Sequence, residues 1–213
     1  MLCSKHLSAL ALLAVVVSPW SMQAHANVGA PAPSKSAERA RPNDRGDQHH
    51  GMTSGSWVKD YCEGTGSTNG GVDCPCGNGV PQGLMEGCAN RTGHGGALSH
   101  TGTPSISNDD FVLNATGLPN GVPGFFLAGA GTSGGNVFGN GIRCITGPYI
   151  RLTKIVHSSG LDTFPGPGMP PISVQMNLNV GDITYFQVVY RDFGGPCGSS
   201  INATNAVMAL WGT

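Results

Sequence analysis

Apolar and polar residues alternate most regularly in the C-terminal third of the chain. In Ile172-Ser173-Val174-Gln175-Met176-Asn177-Leu178 every second residue is apolar, which on a pleated strand places all four apolar side chains on one face. Beyond Val180-Gly181-Asp182, a turn sequence, the run from Ile183 to Tyr190 sends Phe186, Val188 and Tyr190 one way and Tyr185, Gln187 and Val189 the other. The two segments are expected to pair as a hairpin. Apolar, β-branched and aromatic runs over residues 97–101, 111–115, 124–128, 149–156 and 206–211 predict five more strands. The 34 glycines and 15 prolines punctuate these runs, and no stretch of helical periodicity reaches eleven residues. The pattern predicts an all-β, two-sheet antiparallel β-sandwich, with jelly-roll and immunoglobulin-like connections both open.

Ahead of the strands the chain has a different character. Lys5 precedes an apolar run over residues 7–17 that only Ser8 interrupts, and Ala24-His25-Ala26 follows. The run is shorter than the ~20 residues needed to cross a bilayer core. Small residues flanking a larger one match what a signal peptidase accepts, so residues 1–26 are expected to be a signal peptide. Residues 27–56 are rich in Ala, Pro, Ser, Gly and mixed charge. They have too little apolar surface to offset backbone ordering and are expected to form a disordered linker. Within it, His49-His50 reads as a solvated pair, because no carboxylate or cysteine nearby completes a ligand set. Residues 57–213 are long enough for one domain with a real core, its first part, 61–92, being cysteine-rich.

Charge and cysteines narrow the function classes. Removing the signal peptide takes Lys5 and Cys3 from a chain of net charge −1 with seven cysteines, leaving a nearly neutral protein with six. That composition offers no basic stripe for nucleic acid and no polybasic patch for anionic lipid. No later stretch is long and apolar enough for a membrane span. Six cysteines in an exported chain read as three disulfides. A Cys74–Cys76 bond would close a strained ring, so Cys62 is expected to pair with one of these two and Cys88 with the other. Cys144 is then left for Cys197, closing a loop worth roughly 3–5 kcal/mol in the chain-entropy account. A four-thiolate metal site at Cys62, Cys74, Cys76 and Cys88 is the weaker alternative, since one C-x-C lacks the C-x2-C spacing of structural zinc sites.

Several phrases occur in a particular order: Tyr61-Cys62, Cys74-Pro75-Cys76-Gly77-Asn78, Gly87-Cys88-Ala89-Asn90, Asn108-Asp109-Asp110-Phe111, Gly117-Leu118-Pro119, Gly124-Phe125-Phe126, Phe138-Gly139-Asn140-Gly141, Arg143-Cys144, Phe186-Gln187 and Tyr190-Arg191-Asp192. Together they resemble a recurring bacterial secreted domain family without an assigned activity, found alone or at the C-terminal end of larger surface proteins. The resemblance implies a β-sandwich at the cell surface or outside the cell and carries over no site residues. The chain departs from that pattern at Val188-Val189, where an aromatic residue commonly precedes the tyrosine.

Few residues stand out as chemistry. Arg191-Asp192 ends an apolar strand ahead of Gly194-Gly195-Pro196-Cys197. As a binding pair it would contact sugar or metal; as structure it would cap loop carbonyls beside a disulfide, the reading a turn phrase favours. Asn108-Asp109-Asp110 has three oxygen donors, but consecutive residues point apart, so a turn is expected before a calcium loop. Ser99-His100, His94 and His157 lack a nucleophile elbow or zinc-protease spacing, and the domain's two glutamates, Glu63 and Glu86, lie in the cysteine-rich part. Asn90, Asn114 and Asn202 each precede Thr at the sequon spacing, which chance explains. The expectation is a secreted, non-enzymatic structural or adhesive module without cofactor, at the cell surface or in the periplasm. Its partner would be a polysaccharide or a cell-envelope protein. The alternative is a secreted hydrolase with an unrecognised site.

Overall fold

The computed structural model describes residues 55–66, 73–157 and 160–213, all within one compact unit, Gln48–Thr213. The expected signal peptide, and the linker up to residue 54, lie outside the described residues. The chain is a two-sheet antiparallel β-sandwich. One sheet has five strands in the order β1 (Trp57–Tyr61), β9 (Ile201–Leu210), β8 (Ile183–Arg191), β5 (Pro123–Phe138) and β6 (Gly141–Val156). The other has four, β2 (Glu86–Ala89), β3 (Gly95–Thr101), β4 (Val112–Thr116) and β7 (Asp162–Phe164). A single turn of 3-10 helix, Pro75–Gly77, and one α-helix, α1 (Ile172–Met176), complete the elements among the described residues. No helix among the described residues is long and apolar enough to cross a membrane.

The core lies where the inward faces of the sheets meet. Leu98, Leu113 and Ala115 from the four-stranded sheet pack against Phe126, Ala128, Phe186, Val188, Val207 and Ala209 from the five-stranded one. Alternation on β8 is as the pattern predicts: Thr184, Phe186, Val188 and Tyr190 are buried inward. At one end of the core Phe111 meets Trp211 edge to face with ring centroids 5.7 Å apart. The Trp211 indole N–H donates to Thr184 Oγ1 at 2.9 Å, so its burial leaves no polar group unpaired. Asn205 ties the sheets together, accepting the Leu98 N–H at 2.6 Å and donating to the Leu98 carbonyl at 2.8 Å.

The expected 172–190 hairpin is corrected. Residues 172–176 form α1, and β8 pairs instead with β5 and β9. The sequence Pro170-Pro171 starts the helix, with Pro171 at its N-cap, and Asn177 ends it in the left-handed conformation. Ile172 and Met176, one helical turn apart, pack on the core while Val174 turns out to solvent. Alternation at 172, 174, 176 and 178 contains an i, i+4 pair, and over five residues the two periods are not distinguishable.

β5 and β6, at 16 residues each, outrun the sandwich. Only Gly124–Gly129 of β5 pairs with β8. Beyond that, two irregularities bend the ribbon: Gly147 and Pro148 oppose the single residue Ala130, and residues 133–135 oppose Cys144. Gly129 is required here, since a Cβ on it would lie 2.6 Å from the Thr146 carbonyl oxygen. The ribbon's far end folds back over the outer face of β8 and β9. There Ile142, Cys144 and Ile145 form a second core with Cys62, Cys74, Cys88 and Ala206. The Asn140 N–H donates to the Ile201 carbonyl at 2.7 Å.

Candidate functional site

Three disulfides are present, Cys62–Cys144, Cys74–Cys88 and Cys76–Cys197. All six expected cysteines are oxidised, and Cys74 and Cys76 do take separate partners, with Cys88 joined to one of them. The pairings of Cys62 with that pair and of Cys144 with Cys197 are corrected. The fold-back explains both: it carries Cys144 across the sheet to the end of β1, where Cys62 follows Tyr61. Cys197 then meets the Pro75–Gly77 turn. Three cystines of this kind form and persist in oxidising compartments.

Arg191 and Asp192 part ways. Asp192 is fully buried, and its carboxylate accepts the Arg91 backbone N–H at 3.0 Å, the Asn140 side-chain NH2 at 2.8 Å and that of Asn202 at 3.4 Å. It organises the loop before Cys197. Arg191 is exposed and donates to Ser200 Oγ at 3.3 Å. Asp109 and Asp110 also turn to different partners. Asp110 accepts the Thr103 N–H at 2.9 Å, which holds its carboxyl below the usual carboxylate range, while Asp109 accepts the Ser173 hydroxyl. The asparagines of the three sequons are all buried and hydrogen-bonded in the fold. His157 faces Asp162 at 2.5 Å, and His100 lies 4.0 Å from Asp60.

The bend in the β5–β6 ribbon creates the feature that sequence patterns do not mark. Between the sheet and the returning strand lies an open groove of about 360 Å³. Its floor is Phe125 and Leu127 on β5 with Val189 on β8; Phe138 and Arg143 come from the folded-back end, and Tyr149 and Arg151 from the rising limb of β6. Arg143 Cζ lies 5.2 Å from the Phe138 ring centroid and 5.4 Å from that of Tyr149. Arg151 Cζ lies 4.9 Å from the Phe125 centroid. Both guanidiniums are thus held by aromatic faces. Neither has a hydrogen-bond acceptor or carboxylate partner among the described residues, and Arg143 Nε is buried with its N–H unmatched. Sheet pairing sets Phe125 beside Val189 and Leu127 beside Arg151, and the fold-back adds Phe138 and Arg143 to them.

No protein-family model, curated protein or solved structure matches the chain. What the fold defines on its own is a disulfide-braced β-sandwich with an aromatic and cationic groove on one outer face.

Proposed function

We propose that the chain is a secreted, non-enzymatic adhesive module of the bacterial surface type it resembles, and that the ribbon groove is its binding site for polysaccharide. The observation that carries this reading is the lining itself. Three aromatic rings, Phe125, Phe138 and Tyr149, surround one concavity. Ring faces give the apolar side of a pyranose a large contact at small entropic cost, while a few polar groups at the rim fix its orientation. The seven lining side chains supply stacking surfaces and N–H donors and include neither a carboxylate nor a Ser, Cys or His nucleophile or base. This favours binding over the hydrolase alternative.

The groove also has the rigidity that binding needs. Its far wall is tied to the sheet by the Cys62–Cys144 disulfide and by Gln187, so little ordering remains for a ligand to impose. A glycan array probed with the purified chain tests the reading, with Tyr149→Ala as the paired variant. Tyr149 is 44% exposed, so its removal leaves folding intact. Retention of a defined set of glycans that falls about tenfold or more in the variant is the expected result. Equal retention by both proteins would place any binding elsewhere.

A further inference from the structure

We infer that the groove selects an acidic polysaccharide, and specifically a carboxylate-bearing sugar such as a hexuronate; this rests on the glycan-binding reading above. The three strands that line the groove, β5, β6 and β8, contain Arg143, Arg151, Lys154 and Arg191 and not one Asp or Glu. Strands β2, β3, β4 and β7 of the opposite sheet contain Glu86 and Asp162 and neither Lys nor Arg. The one carboxylate on the five-stranded sheet's strands is Asp60, beside Lys59 on the far edge strand β1, so the strands that line the groove are purely cationic.

The cations converge on the groove. Arg143 and Arg151 line it. Lys154 stands opposite Phe125 in the β5–β6 register and so shares its face. Arg191 lies two positions beyond Val189 on the same side of β8. A guanidinium offers five N–H donors in a planar fork, and Arg143 and Arg151 make aromatic contacts and no hydrogen bond among the described residues. Aromatic contact fixes the plane of each fork without using its donors, which leaves them ready for a planar two-oxygen acceptor. A carboxylate on a sugar ring supplies that acceptor beside an apolar ring face for Phe125 or Tyr149. The groove's volume suits a residue or two of such a chain.

Affinity electrophoresis and calorimetry of the intact chain against four probes test the inference: polygalacturonate, its fully methyl-esterified form, dextran sulfate and dextran. Polygalacturonate is expected to bind and its ester, with the same backbone and no charge, to bind at least about tenfold more weakly. Arg151→Gln should cost about tenfold in polygalacturonate affinity and Arg151→Lys, which keeps the charge and loses the fork, most of that loss. Arg151 is exposed, so both variants fold. Lys59→Gln, on the far edge strand of the same sheet, should leave affinity unchanged. Equal binding of the acid and the ester, both lost in Tyr149→Ala, would leave the glycan site standing and overturn the charge selection. Binding of dextran sulfate without polygalacturonate overturns the carboxylate assignment, and failure of all four probes overturns both readings.

Discussion

The side-chain carbonyl of Gln187 accepts the backbone N–H of Cys144 at 3.1 Å, and the same amide donates to the Ile142 carbonyl at 2.9 Å and the Thr204 carbonyl at 2.7 Å. A fully buried side chain thereby provides the folded-back ribbon with the pairing that a neighbouring strand's backbone would otherwise supply. Asn205 acts alike on the opposite face, pairing with both main-chain groups of Leu98. The five-stranded sheet thus holds a layer on each side through carboxamides at β8 and β9.

Gln187→Leu removes that pairing while keeping comparable bulk. Three buried backbone groups lose a partner, each costing about 1–3 kcal/mol if it stays unsatisfied. A net destabilisation of about 2–4 kcal/mol is expected, read from the urea midpoint. A midpoint within error of the parent chain would show that the ribbon is held by something else.

The cystines differ in the span they close: 82 residues for Cys62–Cys144 against 14 for Cys74–Cys88. In the chain-entropy account the longer closure stabilises by roughly 4–5 kcal/mol and the shorter by roughly 3. The double variant Cys62→Ser, Cys144→Ser should therefore be the less stable of the two Ser pairs, and it should also lose the groove, whose far wall that bond anchors. Peptide mapping without reduction checks the pairing directly; recovery of a peptide joining Cys144 to Cys197 would refute it.

How far the fold could be read from the sequence depended on where its determinants lie. The inward set Phe186, Val188 and Tyr190 was legible because β-alternation is local, and the oxidised state of six cysteines was legible from their number and the export pattern. The partners of Cys62 and Cys144 were not, because they follow from a ribbon bending at Gly129 and Gly147-Pro148. Bulge positions depend on pairing with a strand elsewhere in the chain. The groove was hidden for the same reason. Phe125 and Tyr149 lie in separate runs that read as strands and Arg143 in neither, and Arg191-Asp192, the pair the sequence singled out, contributes one exposed cation and one buried loop anchor.

Asp192 should prove far more costly to alter than its neighbour. Its carboxylate is acceptor for three N–H donors at full burial, and Asp192→Asn turns one acceptor oxygen into a donor facing donors. A loss of about 2–3 kcal/mol is expected. Arg191→Ala, exposed and bonded only to Ser200, should stay within about 0.5 kcal/mol. Thermal unfolding of the two variants compares them, and similar midpoints would contradict the network.

Asp60 gives the domain a pH signature of known sign. It sits on β1 with Oδ1 buried, 4.0 Å from His100 Nδ1 in a long ion pair, and neither atom has a hydrogen-bond partner among the described residues. Burial raises its carboxyl above the ordinary value, and the nearby His100 only partly counters this. A carboxyl whose pKa is higher folded than unfolded binds its proton more tightly in the fold. Its favourable contribution is therefore complete below the unfolded value and is lost as pH rises through the folded one. At neutral pH the ionised group opposes folding, and Asp60→Asn should stabilise. About a third of the side chain remains exposed, so water screens much of the effect and the gain should be about 0.5 kcal/mol or less. Urea unfolding at pH 7 and pH 3 measures it. The variant should exceed the parent at pH 7 and lose that advantage at pH 3, whereas a destabilised variant at pH 7 would mean that the His100 ion pair outweighs burial.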